Sequence, residues 1–163
     1  MENKTIPLSP KDHPGVYVPP PLVYVATFFI SIFCQRTYPL DHRWFAAPGI
    51  QIGGGTLITT GILLLITSFW RFLISKNTLI PIKPAQSLQT SGIYAFSRNP
   101  MYLGLLCLYV GIAIFKGNMW TIILAPVVIL IIQAYVIKKE EQYLMRAFGE
   151  QYMTYAKKVR RWI

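Results

Sequence analysis

Four long apolar stretches dominate this sequence: from about Val16 to Cys34, from about Gly49 to Ile74, from Met101 to Phe115 and from Met119 to Ile137. A helix crossing a bilayer core needs roughly 20 apolar residues, because backbone N–H and C=O groups find no water there and must bond within the segment. The pattern therefore predicts an all-α, multi-pass transmembrane helical bundle of about four spans. After Ile137 a charged amphipathic helix follows, with Tyr143, Leu144, Ala147 and Phe148 near one face. The composition agrees, at 53% hydrophobic, 13% charged and a mean hydropathy of +0.42, well away from ordinary soluble domains. At 163 residues without a low-complexity break, the chain reads as one domain, residues 1–163, opening with a flexible arm over 1–15.

Local signals divide the stretches. Prolines 19, 20 and 21 interrupt the place where a cleavable signal's apolar core would run, and they fit the first turn of a retained helix. Gly49 and Gly53, four apart and followed by Gly54 and Gly55, suit close helix packing. A phosphate-cradling loop would need a strand before these glycines and a polar helix start after them. Pro81, Pro84, Gly92 and Pro100 make residues 77–100 a loop. Lys116, Gly117 and Asn118 leave room only for a tight turn, so the third and fourth stretches are expected to form an antiparallel hairpin.

The net charge of +10 raises the possibility of nucleic acid, but these cations flank apolar runs instead of gathering on a soluble module. With the N-terminus cytoplasmic, 13 of the 16 lysines and arginines fall on the cytoplasmic side, leaving Arg36, Arg43 and Lys116 outside. That asymmetry obeys the positive-inside rule and places both termini in the cytoplasm. Cys34 and Cys107 lie inside apolar segments without metal-ligand spacing, so neither a disulfide framework nor a metal site is expected.

The concentrated polar chemistry lies on that cytoplasmic face: Gln86 to Tyr94, then Arg98 to Tyr102, then Glu140-Glu141. A hairpin of the last two spans brings the second and third of these to similar depth. Singly, each has a bland alternative. The two glutamates fit a solvated helix paired with neighbouring lysines, Arg98 fits snorkelling, and Tyr94 and Tyr102 fit an interfacial aromatic belt.

Together, the string Thr90 to Gly104, with Arg98-Asn99-Pro100-Met101-Tyr102 inside it, and the later Glu140-Glu141…Phe148-Gly149-Glu150-Gln151-Tyr152 resemble the isoprenylcysteine carboxyl methyltransferase family and its phospholipid methyltransferase relatives. The resemblance covers about residues 80–160, so residues 80–163 become the expected cofactor-binding half. It implies an S-adenosylmethionine-dependent membrane methyltransferase, holding its cofactor in a cytoplasmic pocket while a lipidic or amphiphilic acceptor enters from the bilayer. By position, the cofactor contacts it implies are Gln86, Ser87, Leu88, Gln89, Tyr94, Asn99, Pro100, Met101, Tyr102 and Glu140. The substrate-side positions are Arg98 and Val136. The family commonly has His where this chain has Asn99, and the eukaryotic enzymes carry a substrate-associated arginine at the position of Val136. Methyl transfer is an in-line displacement that rests on positioning and a desolvated nucleophile, and no catalytic base is assigned. Carboxyl O-methylation of an isoprenylcysteine-like acceptor is the favoured chemistry. Phospholipid N-methylation, thiol S-methylation and a non-enzymatic scaffold or assembly subunit stand as alternatives.

Overall fold

The computed structural model describes residues 13–75 and 87–163. Helix α1 runs Pro20–Thr37, α2 Pro48–Ile74, α3 Pro100–Lys116, α4 Met119–Ile131 and α5 Lys138–Lys158. Short 3-10 turns at Arg43–Ala46 and Gly92–Ala95 precede α2 and α3, and a π-helical turn, Ile132–Ile137, joins α4 to α5. Among the described residues there is no strand.

Three helices begin with proline at their first position, Pro20, Pro48 and Pro100. That position costs nothing, because the missing N–H is one the helix would leave unpaired. Helix α3 stops at Gly117, whose φ of 62° is left-handed and open to glycine at little cost. Asn118 then caps α4 by accepting from the Thr121 N–H.

The outer surface is apolar. Helix α2 turns Ile52, Leu63, Ile66, Trp70 and Leu73 outward, and α1 does the same with Leu22, Phe29 and Phe33. What α2 buries is Gly54, Gly61 and Ser68, its smallest side chains. This inversion of the soluble pattern is what lipid demands. Among the described residues two helical segments, Pro48–Ile74 and the continuous run Met119–Lys158, are long and apolar enough to cross a membrane, and Pro100–Lys116 is a shorter apolar helix. The chain is a membrane protein.

Glycines set the contact between α2 and α3, but they are not the pair singled out by spacing. A Cβ on Gly49 or Gly53 would meet nothing within 4 Å. On Gly61 it would stand 2.8 Å from the Gly104 carbonyl oxygen, and on Gly111 2.9 Å from that of Gly54. Two glycines seven apart on α2 thus face two seven apart on α3, backbone against backbone. Across the bundle, the buried Ser31 hydroxyl of α1 bonds Thr121 of α4 at 2.7 Å and accepts from Asn118 at 3.1 Å. Tyr24 of α1 donates to the Tyr102 carbonyl at 3.0 Å, fastening the first turn of α3.

Because backbone lies opposite Gly61, Gly61→Val is expected to cost about 1–3 kcal/mol of stability by overpacking. Gly53→Ala should leave stability equal or raise it by up to about 1 kcal/mol. Unfolding in mixed micelles measures both.

Candidate functional site

Starting α3 at Pro100 sets Tyr102 in its first turn, and starting α5 at Lys138 sets Glu140 in its own. The two meet: the Tyr102 hydroxyl donates to the Glu140 carboxylate at 2.6 Å. Glu140 is half-buried, with its carboxyl crowded by protein. Burial pushes that carboxyl up to about 7, the neighbouring Glu141 charge adds to the rise, and the hydrogen bond from Tyr102 works against it. Tyr94, on the 3-10 turn before α3, is buried beside the same groups. Its phenol is raised by burial first, with the Glu140 charge contributing. Among the described residues neither glutamate pairs with a lysine, as a solvated helix would have it.

Glu141 instead organises the rim. It takes both prongs of Arg161, at 2.8 and 2.7 Å, and Arg98 at 3.1 Å. Arg98 also donates to the Tyr152 hydroxyl at 3.0 Å. The stretch that follows α5 closes over the start of α3. The Arg160 carbonyl accepts from the Arg98 N–H at 3.0 Å, and the Arg161 carbonyl accepts from Asn99 Nδ2 at 2.9 Å and from Ser97 at 3.3 Å. Trp162 packs against the core and donates to Gln133 at 3.3 Å.

The expected residues divide accordingly. Tyr94, Tyr102 and Glu140 converge. Asn99 holds the closing stretch through its amide nitrogen, Pro100 is buried as the first residue of α3, and Met101 is half-buried beside it. Leu88 packs on the cluster of Tyr152, Tyr155 and Val159. Gln89 donates to the Ser87 hydroxyl at 3.0 Å. Gln86 lies outside the described residues. Of the substrate-side pair, Arg98 is on the rim, whereas Val136 is fully buried with Val128, Ile132 and Ile137 in the aliphatic core. The π-helical turn directs it there.

Residues that spacing did not single out complete the corner. Arg161 and Trp162, on the stretch after α5, are two of them. Arg71, in the last turn of α2, donates to the Ser91 hydroxyl, while its buried Nε has no partner among the described residues. Its side chain lies against Gly92, which has a φ of +64° and where a Cβ would stand 3.4 Å from the Arg71 Cδ. Helix α5 is also not one smooth rod, since it breaks at Gly149, at φ 50° and ψ −124°. That break lets Tyr152 and Tyr155 turn back, and Tyr155 donates to the Tyr94 carbonyl at 2.6 Å.

Glu141 is expected to act as a structural anchor. Glu141→Ala would leave Arg98 without its carboxylate and cost about 1–3 kcal/mol, whereas exposed Glu150→Ala should stay within about 0.5 kcal/mol. Unfolding in mixed micelles distinguishes them.

A corner of this make-up has counterparts. A family model described as phospholipid methyltransferase matches residues 50–151. The protein-S-isoprenylcysteine O-methyltransferase of Schizosaccharomyces pombe is 38% identical over 131 residues, which is 80% of this chain and 51% of that protein. The protein-S-isoprenylcysteine O-methyltransferase B of Arabidopsis thaliana is 33% identical over 121 residues, 73% of this chain and 59% of that protein. This chain thus spans between half and three fifths of the length of these relatives. The matched region holds α2, α3, α4 and the Tyr102–Glu140 pair, and the chain belongs to the phospholipid methyltransferase family, with isoprenylcysteine O-methyltransferases among its relatives.

Proposed function

We propose that this chain is an S-adenosylmethionine-dependent methyltransferase of the membrane, acting on a lipidic or amphiphilic acceptor at the corner between α3 and α5. The observation that carries this is the Tyr102–Glu140 contact, a crowded carboxylate held by a phenol beside a second buried tyrosine. Such a set suits the donor. Glu140 accepts from ribose hydroxyls or an ammonium, and tyrosine faces attract a cation or a flat ring. S-adenosylmethionine supplies an electrophilic methyl group when bound. The protein's part is to orient and to exclude water: Tyr102 fixes the carboxylate, Glu141 fixes Arg98 and Arg161, and Trp162 covers the flank.

On this proposal α1, α2, α3 and α4 are the four spans, α3 and α4 run antiparallel, and the corner and both termini face the cytoplasm. Thirteen of the 16 basic residues then lie inside. Asn99 takes part through its amide oxygen, while its nitrogen is committed to Arg161.

Carboxyl O-methylation of an isoprenylcysteine-like acceptor is favoured by the relatives' names. A carboxylate acceptor calls for a cation, which Val136 cannot supply. Arg71 fills that need, with a buried donor that no described residue accepts from at the edge of the loop that carries Tyr94. Methyl-labelled S-adenosylmethionine offered with a farnesylcysteine, a phosphatidylethanolamine or an amphiphilic thiol tests the acceptor. Label should pass to the farnesylcysteine and fall at least tenfold in Arg71→Gln. Label in the lipid amine or thiol would reassign the acceptor, and none in any would overturn the enzymatic proposal.

Donor binding carries a pH signature. With its carboxyl near 7, Glu140 is largely protonated at pH 6 and ionised at pH 8. A cationic or hydroxyl partner bonds best to the carboxylate, so affinity should rise as pH passes upward through about 7. Isothermal titration should show that rise, its flattening in Glu140→Gln, and a loss of about 1.5–3 kcal/mol in Glu140→Ala at pH 8. Unchanged affinity in both variants would remove Glu140 from the site.

A further inference from the structure

The far end of α3 carries a second feature that methyl transfer leaves unused. A cavity of about 240 Å³ opens between the C-terminal end of α1 and the α3–α4 turn, lined by Phe28, Ile32, Gln35, Arg36, Lys116 and Asn118. Lys116 lies fourteen residues beyond Tyr102 on one helix, so the cavity stands roughly 20 Å from the corner along α3.

Its charges are unusual for their place. Arg36, Arg43 and Lys116 are the three cations left outside by the positive-inside assignment. Arg43 is neutralised by Asp41, with the guanidinium 3.0 Å from the carboxylate. The other two line this one cavity, and among the described residues neither has a carboxylate partner. Beside them Gln35 spends its amide N–H on the Leu40 carbonyl at 3.0 Å, while its buried Oε1 has no donor among the described residues. A buried acceptor without a donor is uncommon and marks a place where a donor belongs. The remaining lining, Phe28 and Ile32, is apolar, and Phe29 and Phe33 on the same helix continue outward, 66% and 69% exposed.

Two cations and one buried acceptor without partners among the described residues, with an apolar wall leading to a lipid-facing strip, describe a single kind of ligand. We propose that this cavity holds the headgroup of a glycerophospholipid, its phosphate between Arg36 and Lys116 and a headgroup hydroxyl or ammonium donating to Gln35 Oε1. One acyl chain lies along Phe29 and Phe33. Free phosphate shares the anion but needs neither the acceptor nor the apolar wall. This site is independent of the corner at Glu140.

Native mass spectrometry of the full chain in detergent, titrated with phosphatidylglycerol, tests the site. The double variant Arg36→Gln/Lys116→Gln should hold the lipid at least tenfold more weakly, with thermal stability and S-adenosylhomocysteine binding unchanged. Gln35→Leu keeps both cations, so it should abolish only the preference for phosphatidylglycerol over phosphatidylmethanol, whose headgroup lacks a donor. Millimolar inorganic phosphate should fail to displace the lipid. Equal lipid binding by wild type and the double variant would overturn the proposal. So would displacement by inorganic phosphate, which would make the site a free-anion site, and so would equal wild-type affinity for the two lipids.

Discussion

A carboxylate drawn out of water must find a donor, and the one Glu140 finds is on another helix. Tyr102, 38 residues earlier, supplies it at 2.6 Å, and that bond fixes where the first turn of α3 stands relative to the first turn of α5. The rest of the corner follows from it. Tyr24 holds the Tyr102 backbone from α1, and glycine facing glycine sets α3 close against α2. Removing the donor would leave a carboxyl that burial already drives toward its protonated form without the one hydrogen bond that favours its charge.

The second carboxylate does different work from the first. Glu141 is saturated by Arg98 and Arg161, and through them it ties the loop before α3 to the chain that follows α5. Adjacent in sequence, the two glutamates thus divide into one whose charge is spent on structure and one whose charge is still available. Nothing in the dipeptide itself predicts which is which. The difference comes from depth and partners, since Glu140 faces a phenol and Glu141 faces two guanidinium groups.

Much of the helical layout was legible because its punctuation is local. Proline at a helix start and a left-handed glycine at a helix end act within a turn, so Pro20, Pro100 and Gly117 could be placed from the residues alone. The packing glycines were not, since Gly49 and Gly53 have the right spacing but face open space, whereas Gly54 and Gly61 meet α3. Spacing gives periodicity on one helix and says nothing of which face the partner takes. The π-helical turn after α4 was equally hidden, and with it the burial of Val136. In the corner, Tyr94, Tyr102 and Glu140 were readable as a set, whereas Arg161 and Trp162 were not. Their contacts depend on the break at Gly149 and on the chain returning after α5, a tertiary consequence that a run of basic residues does not announce.

The account turns on whether the space around Glu140 receives the methyl donor. An experimental structure of the chain with S-adenosylhomocysteine is the most direct measurement. The ligand should lie against the Glu140 carboxylate, with the Tyr94 and Tyr102 rings in contact with it and the Glu141 ion pairs intact. Ligand bound elsewhere, out of contact with the Glu140 carboxylate and the two tyrosine rings, would contradict it.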